Sequence, residues 1–301
     1  MNIKKIILSL VLVSFYLPAQ ADLNIFSCEP EWAALATQLG GDKIKVFSAT
    51  TGLQDPHHIQ ARPSLIARIR KADLLICTGA DLEIGWLPLL LRRSNNSKIK
   101  PGQPGNFVAT EYVRLLGIPK LIDRSQGDVH AAGNPHIQTN PKNILRVAKA
   151  FHQRLVELDA SNSGYYDAQF ETFSKHWKKA LKHWKTMTKP LTHLKVVVHH
   201  DSWVYLKDYL KLNQLATLED KPGIPPTSGH LNQLLKTMKS NPAKVIFHAA
   251  YQPEKASNWL SKRTNIPAIV LPFTVGGTEQ ATDLFQLYED TFNRLLKAVQ
   301  K

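Results

Sequence analysis

The chain has 301 residues, 43% hydrophobic and 21% charged, enough apolar material for one large core or two ordinary ones, which excludes wholesale disorder and fibrous designs. Two cysteines cannot build a disulfide scaffold or a four-cysteine zinc site, so any metal must be held mainly by nitrogen or oxygen. The formal charge of +14 is spread along the whole length; its densest stretch, Lys175 to Lys189, is interleaved with His176, Trp177, His183 and Trp184 in a helical pattern, which reads as a solvated basic face, with nucleic-acid binding as the minor alternative.

The chain opens with Lys4 and Lys5, an apolar run from Ile6 to Leu17, Pro18 and the small-residue triplet Ala19-Gln20-Ala21. This is a secretory signal peptide, residues 1–21, with the cut before Asp22. The run is short for a bilayer span and no cysteine near the cut could accept a lipid, so the mature chain is expected to be soluble, with no direct membrane insertion.

From there, short β-rich runs alternate with longer helical patterns, the mark of an α/β protein with mainly parallel sheets. Strands are predicted at Leu23 to Ser27, Ile44 to Ala49, Asp73 to Cys77 and Asn106 to Ala109. Helices are predicted at Glu31 to Leu39, Pro63 to Lys71 and Leu82 to Arg92, with a polar loop from Ser94 to Gly105. Asn140 and Pro141 start a helix that runs to Leu158. A second helix runs from Ser163 to Lys189 and stops at Pro190; at about 1.5 Å per residue it could cross a whole small domain, as a strut between lobes or as an ordinary surface helix. Beyond it the alternation restarts. Strands are expected at Leu194 to His199, Gln214 to Leu218, Lys244 to Phe247 and Ala268 to Leu271, with helices at Ser202 to Leu210, Thr227 to Lys239, Glu254 to Thr264 and Glu279 to Lys301. The expected organisation is two βα lobes, residues 22–162 and 190–301, around the helix 163–189.

Ligands of open parallel sheets sit beyond the carboxyl ends of the strands, and the informative histidines lie in such loops: His57-His58 in Asp55-Pro56-His57-His58, His136 in Asn134-Pro135-His136, and His199-His200 after Val198. Neutral imidazole is a good ligand for zinc, and three on separate loops would make a site without cysteine. No His-x-x-x-His pair places two of them on one helix, so spacing alone leaves a metal site and three unrelated surface histidines about equally open. Cys28 and Cys77 end the first and third strands. They can form a disulfide if those strands are neighbours, and are otherwise two buried thiols.

At these residues the chain resembles the periplasmic zinc- and manganese-binding receptors of ABC importers. Pro56-His57 with Arg62-Pro63-Ser64, the segment Asn134 to Pro141, and His200-Asp201-Ser202-Trp203-Val204-Tyr205-Leu206 match that family's three histidine segments in order, supported by Gly40-Gly41-Asp42, Ala72-Asp73-Leu74, Gly79 to Glu83 and Trp86. The resemblance implies two lobes with four-stranded sheets, a long linking helix, and metal held between the lobes by His57, His136 and His200. It implies a receptor that is not an enzyme, a monomer that delivers zinc to a membrane permease and binds no nucleic acid. Three imidazoles favour zinc and make manganese less likely, while copper could compete in vitro.

The stretch Leu271 to Gly277, where the family's fourth ligand often falls, has no carboxylate, which leaves water, Asp55 or a residue of the second lobe to close the shell. The family's long loop is reduced to Asp128-Val129-His130, which speaks against metal capture there. His58 and His199 remain possible partners, His230 and His248 are expected to be structural, and Glu219-Asp220 is a loop acid pair, conceivably near the site. A three-histidine hydrolase with an activated water, and a two-lobed receptor for a small organic ligand, are the rival readings.

Overall fold

The computed structural model describes residues 22–119 and 127–300; the leader at residues 1–21 lies outside the described residues. Strands β1 (Leu23–Ser27), β2 (Ile44–Ser48), β3 (Leu74–Cys77) and β4 (Asn106–Val108) form a parallel sheet in the order β2-β1-β3-β4. Strands β5 (Lys195–Val198), β6 (Asn213–Thr217), β7 (Val245–Ala249) and β8 (Ala268–Leu271) repeat the plan as β6-β5-β7-β8. Central β3 and β7 are buried at every residue, as expected where crossover helices cover both faces of a parallel sheet. The α/β reading with two four-stranded sheets therefore holds.

The helices are α1 (Pro30–Gly40), α2 (Pro63–Ile69), α3 (Leu87–Ser94), α4 (Pro141–Leu158), α5 (Ser163–Met187), α6 (Val204–Leu210), α7 (Ser228–Ser240), α8 (Lys255–Thr264) and α9 (Leu284–Val299). Two begin later than their periodicity suggests. Helix α3 starts at Leu87 because Ala80 and Asp81 adopt positive φ and the Glu83 carboxylate turns back to accept from the Thr78 and Gly79 amides. Helix α9 starts at Leu284 because Asp283 caps it, accepting from the Gln286 amide, which satisfies a donor that the first turn leaves open.

Helix α5 is 25 residues long and packs against α1 and α4 on one side and α9 on the other. Its buried Phe173, Trp177 and Trp184 meet Phe285, Tyr288 and Phe292 of α9, and the Trp177 indole donates to the Pro141 carbonyl at 2.8 Å. The lysines from Lys175 to Lys185 remain exposed on the other face. One apolar cluster runs through both halves, from Trp32 and Leu35 through Trp177 to Val198, Phe247 and Leu287, with smaller clusters on the outer faces of the two sheets.

Polar contacts also join the halves. The Thr274 hydroxyl donates to Glu31 at 2.5 Å, and Glu31 is 1% exposed. The loop after β2 approaches the loop after β8 so closely that a Cβ on Gly52 would stand 2.4 Å from the Gly276 backbone, so only glycine fits there. Because β1 and β3 are neighbours, Cys28 and Cys77 meet with Cα atoms 4.8 Å apart and are bonded as a disulfide, which settles the choice between disulfide and free thiols.

Two outcomes are expected. Denatured, unreduced protein should titrate no thiol at Cys28 or Cys77, and replacing both with Ala should cost about 2–4 kcal/mol in chemical denaturation; two reactive thiols would contradict the structure. The second concerns pH. Burial raises the Glu31 carboxyl from 4.5 to about 7 against the opposing Thr274 hydrogen bond, and raises Glu83 likewise to about 7. The folded chain thus holds these protons more tightly than the unfolded one, so their contribution to stability is full below about pH 4.5 and is lost as pH rises through about 7. Glu31→Gln should therefore lose less stability than the natural chain between about pH 5 and pH 8, as measured by urea melts at the two values.

Candidate metal centre

The two sheets point the carboxyl ends of their strands toward a common cleft, and the histidine loops meet there. His57 follows β2, His136 lies between β4 and α4, and His200 follows β5. One ring nitrogen from each lies within 4.8 Å of the others, with ring centroids 5.3, 5.8 and 6.1 Å apart. His136 is fully buried and His200 nearly so.

Two of these histidines are placed by the same local device. In Asp55-Pro56-His57, the Asp55 Oδ1 accepts from both the His57 amide at 3.0 Å and its Nδ1 at 2.8 Å. In Asn134-Pro135-His136, Asn134 Oδ1 accepts from the His136 amide at 3.1 Å and its Nδ1 at 2.9 Å. Each is a turn in which a short polar side chain binds the backbone two residues on, with proline stiffening the link. Asn134 places His136 while remaining neutral. Its Nδ2 donates to the Asp201 carbonyl at 2.7 Å, which fixes the amide orientation and ties this loop to the segment that carries His200.

His200 depends on a distant partner. Glu219 Oε2 accepts from His200 Nδ1 at 2.7 Å and from the Gly223 amide at 2.8 Å, so the loop acid is placed against a candidate ligand. In all three rings Nδ1 faces an oxygen that accepts. The proton is therefore on Nδ1, and Nε2 carries its lone pair into the cleft. The buried Nε2 of His136 has no hydrogen-bond partner, a vacancy that costs about 1–3 kcal/mol and that a cation would satisfy.

The electrostatics follow from the same contacts. Burial, then the neighbouring His57 and His200, holds the His136 ring well below its usual range and so neutral. Burial also opposes charge on His200, but the hydrogen bond and charge of Glu219 outweigh it and raise that ring. Burial favours a neutral Asp55, yet its hydrogen bonds from His57 hold its carboxyl below its usual range.

The other histidines divide clearly. His58 is exposed and faces Asp128 at 3.8 Å. His199 is buried, turned toward Glu219 Oε1 at 3.5 Å, and is driven to about 4 chiefly by burial. His230 approaches the Thr217 carbonyl at 2.9 Å and His248 the Ser257 hydroxyl at 3.1 Å, both packing roles as expected. In the stretch Leu271 to Gly277, Phe273 lies against His136, Trp203 and Tyr251 and walls that side of the cleft with apolar rings.

The short loop at Asp128 to His130 lies beside these ligand candidates. The Asp128 amide donates to the Pro222 carbonyl at 2.9 Å, which folds the loop across the cleft and brings His130 Nε2 to 3.3 Å from His57 Nε2. No local pattern marks His130; the only sequence signal was its place in a loop that also carries Gly127 and Gly133.

Comparison with known proteins agrees with this geometry. The family model described as zinc-uptake complex component A, periplasmic, matches residues 25–298. The chain is 26% identical over 227 residues to the high-affinity zinc uptake system protein ZnuA of Yersinia pestis, covering 70% of each chain. It is 25% identical over 305 residues to the zinc-binding lipoprotein AdcA of Streptococcus pneumoniae, covering 98% of this chain and 58% of that protein. It is 22% identical over 257 residues to the manganese ABC transporter substrate-binding lipoprotein PsaA of the same organism, covering 84% of this chain and 80% of that one. A crystal structure of ZnuA superposes with a TM-score of 0.74 at 21% identity, over 91% of this chain and 99% of that chain, and so shares its fold.

Because Glu219 fixes the tautomer and aim of His200, Glu219→Ala should weaken Zn²⁺ binding about 10–100-fold without unfolding the chain. Competition against a chromophoric chelator measures this, and natural affinity in the variant would show that the His200 ring needs no such support.

Proposed function

This chain belongs to the zinc-uptake complex component A family, and on that premise we propose that it is a periplasmic receptor that captures Zn²⁺ with His57, His136 and His200 and delivers it to the permease of an ABC importer. The observation that carries the reading is the buried, unpartnered Nε2 of His136 among two other imidazoles whose Nδ1 protons are already committed. An empty apolar pocket would not hold three such nitrogens together, whereas a cation that accepts their lone pairs repays the arrangement at once.

Zinc fits this donor set better than manganese, which prefers harder, oxygen-rich shells. The carboxylates nearest the ligands, Asp55 and Glu219, orient imidazoles through Nδ1 and are not poised over an open coordination position, which supports a receptor and not a hydrolase. Family membership points the same way. Residues 22–162 and 190–301 act as two lobes around the helix at 163–189. Secretion by the leader at residues 1–21 fits a receptor that works outside the cytoplasm, and no helix among the described residues is long and apolar enough to cross a membrane.

Untagged protein purified without chelator is expected to carry about one zinc per chain, by elemental analysis. His136→Ala should lose more affinity than the about 10–100-fold that removal of an orienting partner brings, and excess zinc at roughly a thousandfold over Kd should stabilise the natural chain by about 4 kcal/mol. Natural affinity in His136→Ala would rule out the site.

A further inference from the structure

Three imidazoles leave a tetrahedral zinc one ligand short. Phe273 packs against His136, Asp55 and Glu219 accept Nδ1 protons, and His199 is turned toward Glu219. Beside His57 and His136 stands His130, its ring centroid 5.3 Å from that of His57 and 6.1 Å from that of His136.

The nitrogen geometry points to a shared ion. His130 Nε2 is 3.3 Å from His57 Nε2. Two nitrogens each about 2.0–2.1 Å from one tetrahedral zinc lie about 3.3–3.4 Å apart, so this pair already has the spacing of two ligands on a single ion. His57 gives its Nδ1 proton to Asp55, which leaves Nε2 as a lone pair. Without metal, His130 can donate to that lone pair; with its own proton on Nδ1 instead, it offers a second lone pair to the same point.

We propose that His130 is the fourth ligand, which completes a shell of four imidazole nitrogens and sets the preference for zinc over manganese. The inference rests on the reading of His57, His136 and His200 as the other ligands. It also gives the short loop a mechanical role. The Asp128 amide binds the Pro222 carbonyl, a Cβ on Gly127 would fall on that same carbonyl oxygen, and one on Gly223 would meet the Asp128 carboxylate. The Gly223 amide in turn binds Glu219 Oε2, the atom that holds His200. His130 and His200 are thus linked through Asp128, Pro222, Gly223 and Glu219, and an ion bound to both closes the circuit between the lobes.

The test uses His130→Ala and His130→Gln in the full mature chain, with His58→Ala as the control on the exposed neighbour. X-ray absorption counts imidazoles around bound Zn²⁺, absorption of the Co²⁺-substituted protein reports the shell, and chelator competition gives Zn²⁺ and Mn²⁺ affinities. Four imidazoles are expected in the natural chain and three in both His130 variants, with a changed Co²⁺ spectrum, Zn²⁺ affinity at least about tenfold lower and a narrowed margin over Mn²⁺, while His58→Ala matches the natural chain. A natural count of three, or a fall in affinity with an unaltered Co²⁺ spectrum, overturns the proposal, the latter because His130 would then only brace the loop. Natural affinity in His136→Ala marks instead the failure of the three-histidine reading itself.

Discussion

An imidazole can bind a metal only through a nitrogen without a proton, and the rest of the site follows from that requirement. Each of the three rings presents Nε2 because an oxygen on the other side claims the Nδ1 proton: Asp55 for His57, Asn134 for His136 and Glu219 for His200. Two of these oxygens are anionic and one is neutral. This limits the negative charge buried around the cleft. Burial also keeps the His136 ring neutral, because it makes protonation costly.

Those loops are useful only if their bases hold still. The common core, the aromatic contacts between α5 and α9, and the Thr274 to Glu31 hydrogen bond all span the two halves. A wide hinge opening would have to expose that apolar surface and break the close approach at Gly52, both costly in water. Helix α5, anchored on both sides, resists bending for the same reason, because its interior hydrogen bonds would have to yield. The packing therefore leaves the loops at the cleft as the parts freest to move.

The buried acids at the carboxyl end of the first sheet show what such rigidity tolerates. Burial is the largest cause that raises Glu29, Glu31 and Glu83; the charges of Glu83 and Glu31 raise Glu29 further and Glu83 raises Glu31, while the hydrogen bond with Glu29 lowers Glu83. Glu83 holds the turn after β3 and Glu29 accepts from the Thr78 amide and hydroxyl. They fasten the loop beside the Cys28 to Cys77 disulfide, and a protonated carboxyl does so without the desolvation cost of a buried charge.

What the sequence determined by itself is whatever acts over a few residues. The alternation of strands and helices, the cap at Asn140, and the Asx-Pro-His turns that aim His57 and His136 are written locally, because a side chain and the backbone two residues on meet in any fold that permits the turn. The tertiary structure decided the rest. Cys28 reaches Cys77 only because the sheet order sets β1 beside β3. Glu219 lies 19 residues from His200 and His130 lies 73 from His57, separations over which a sequence carries no preferred geometry. Glu83 left its expected helix because two amides of the preceding turn needed an acceptor that only the folded chain placed within reach. Contacts of that kind depend on how the sheets are ordered and how the lobes face each other, and these follow from burial summed over the whole chain and not from any one segment.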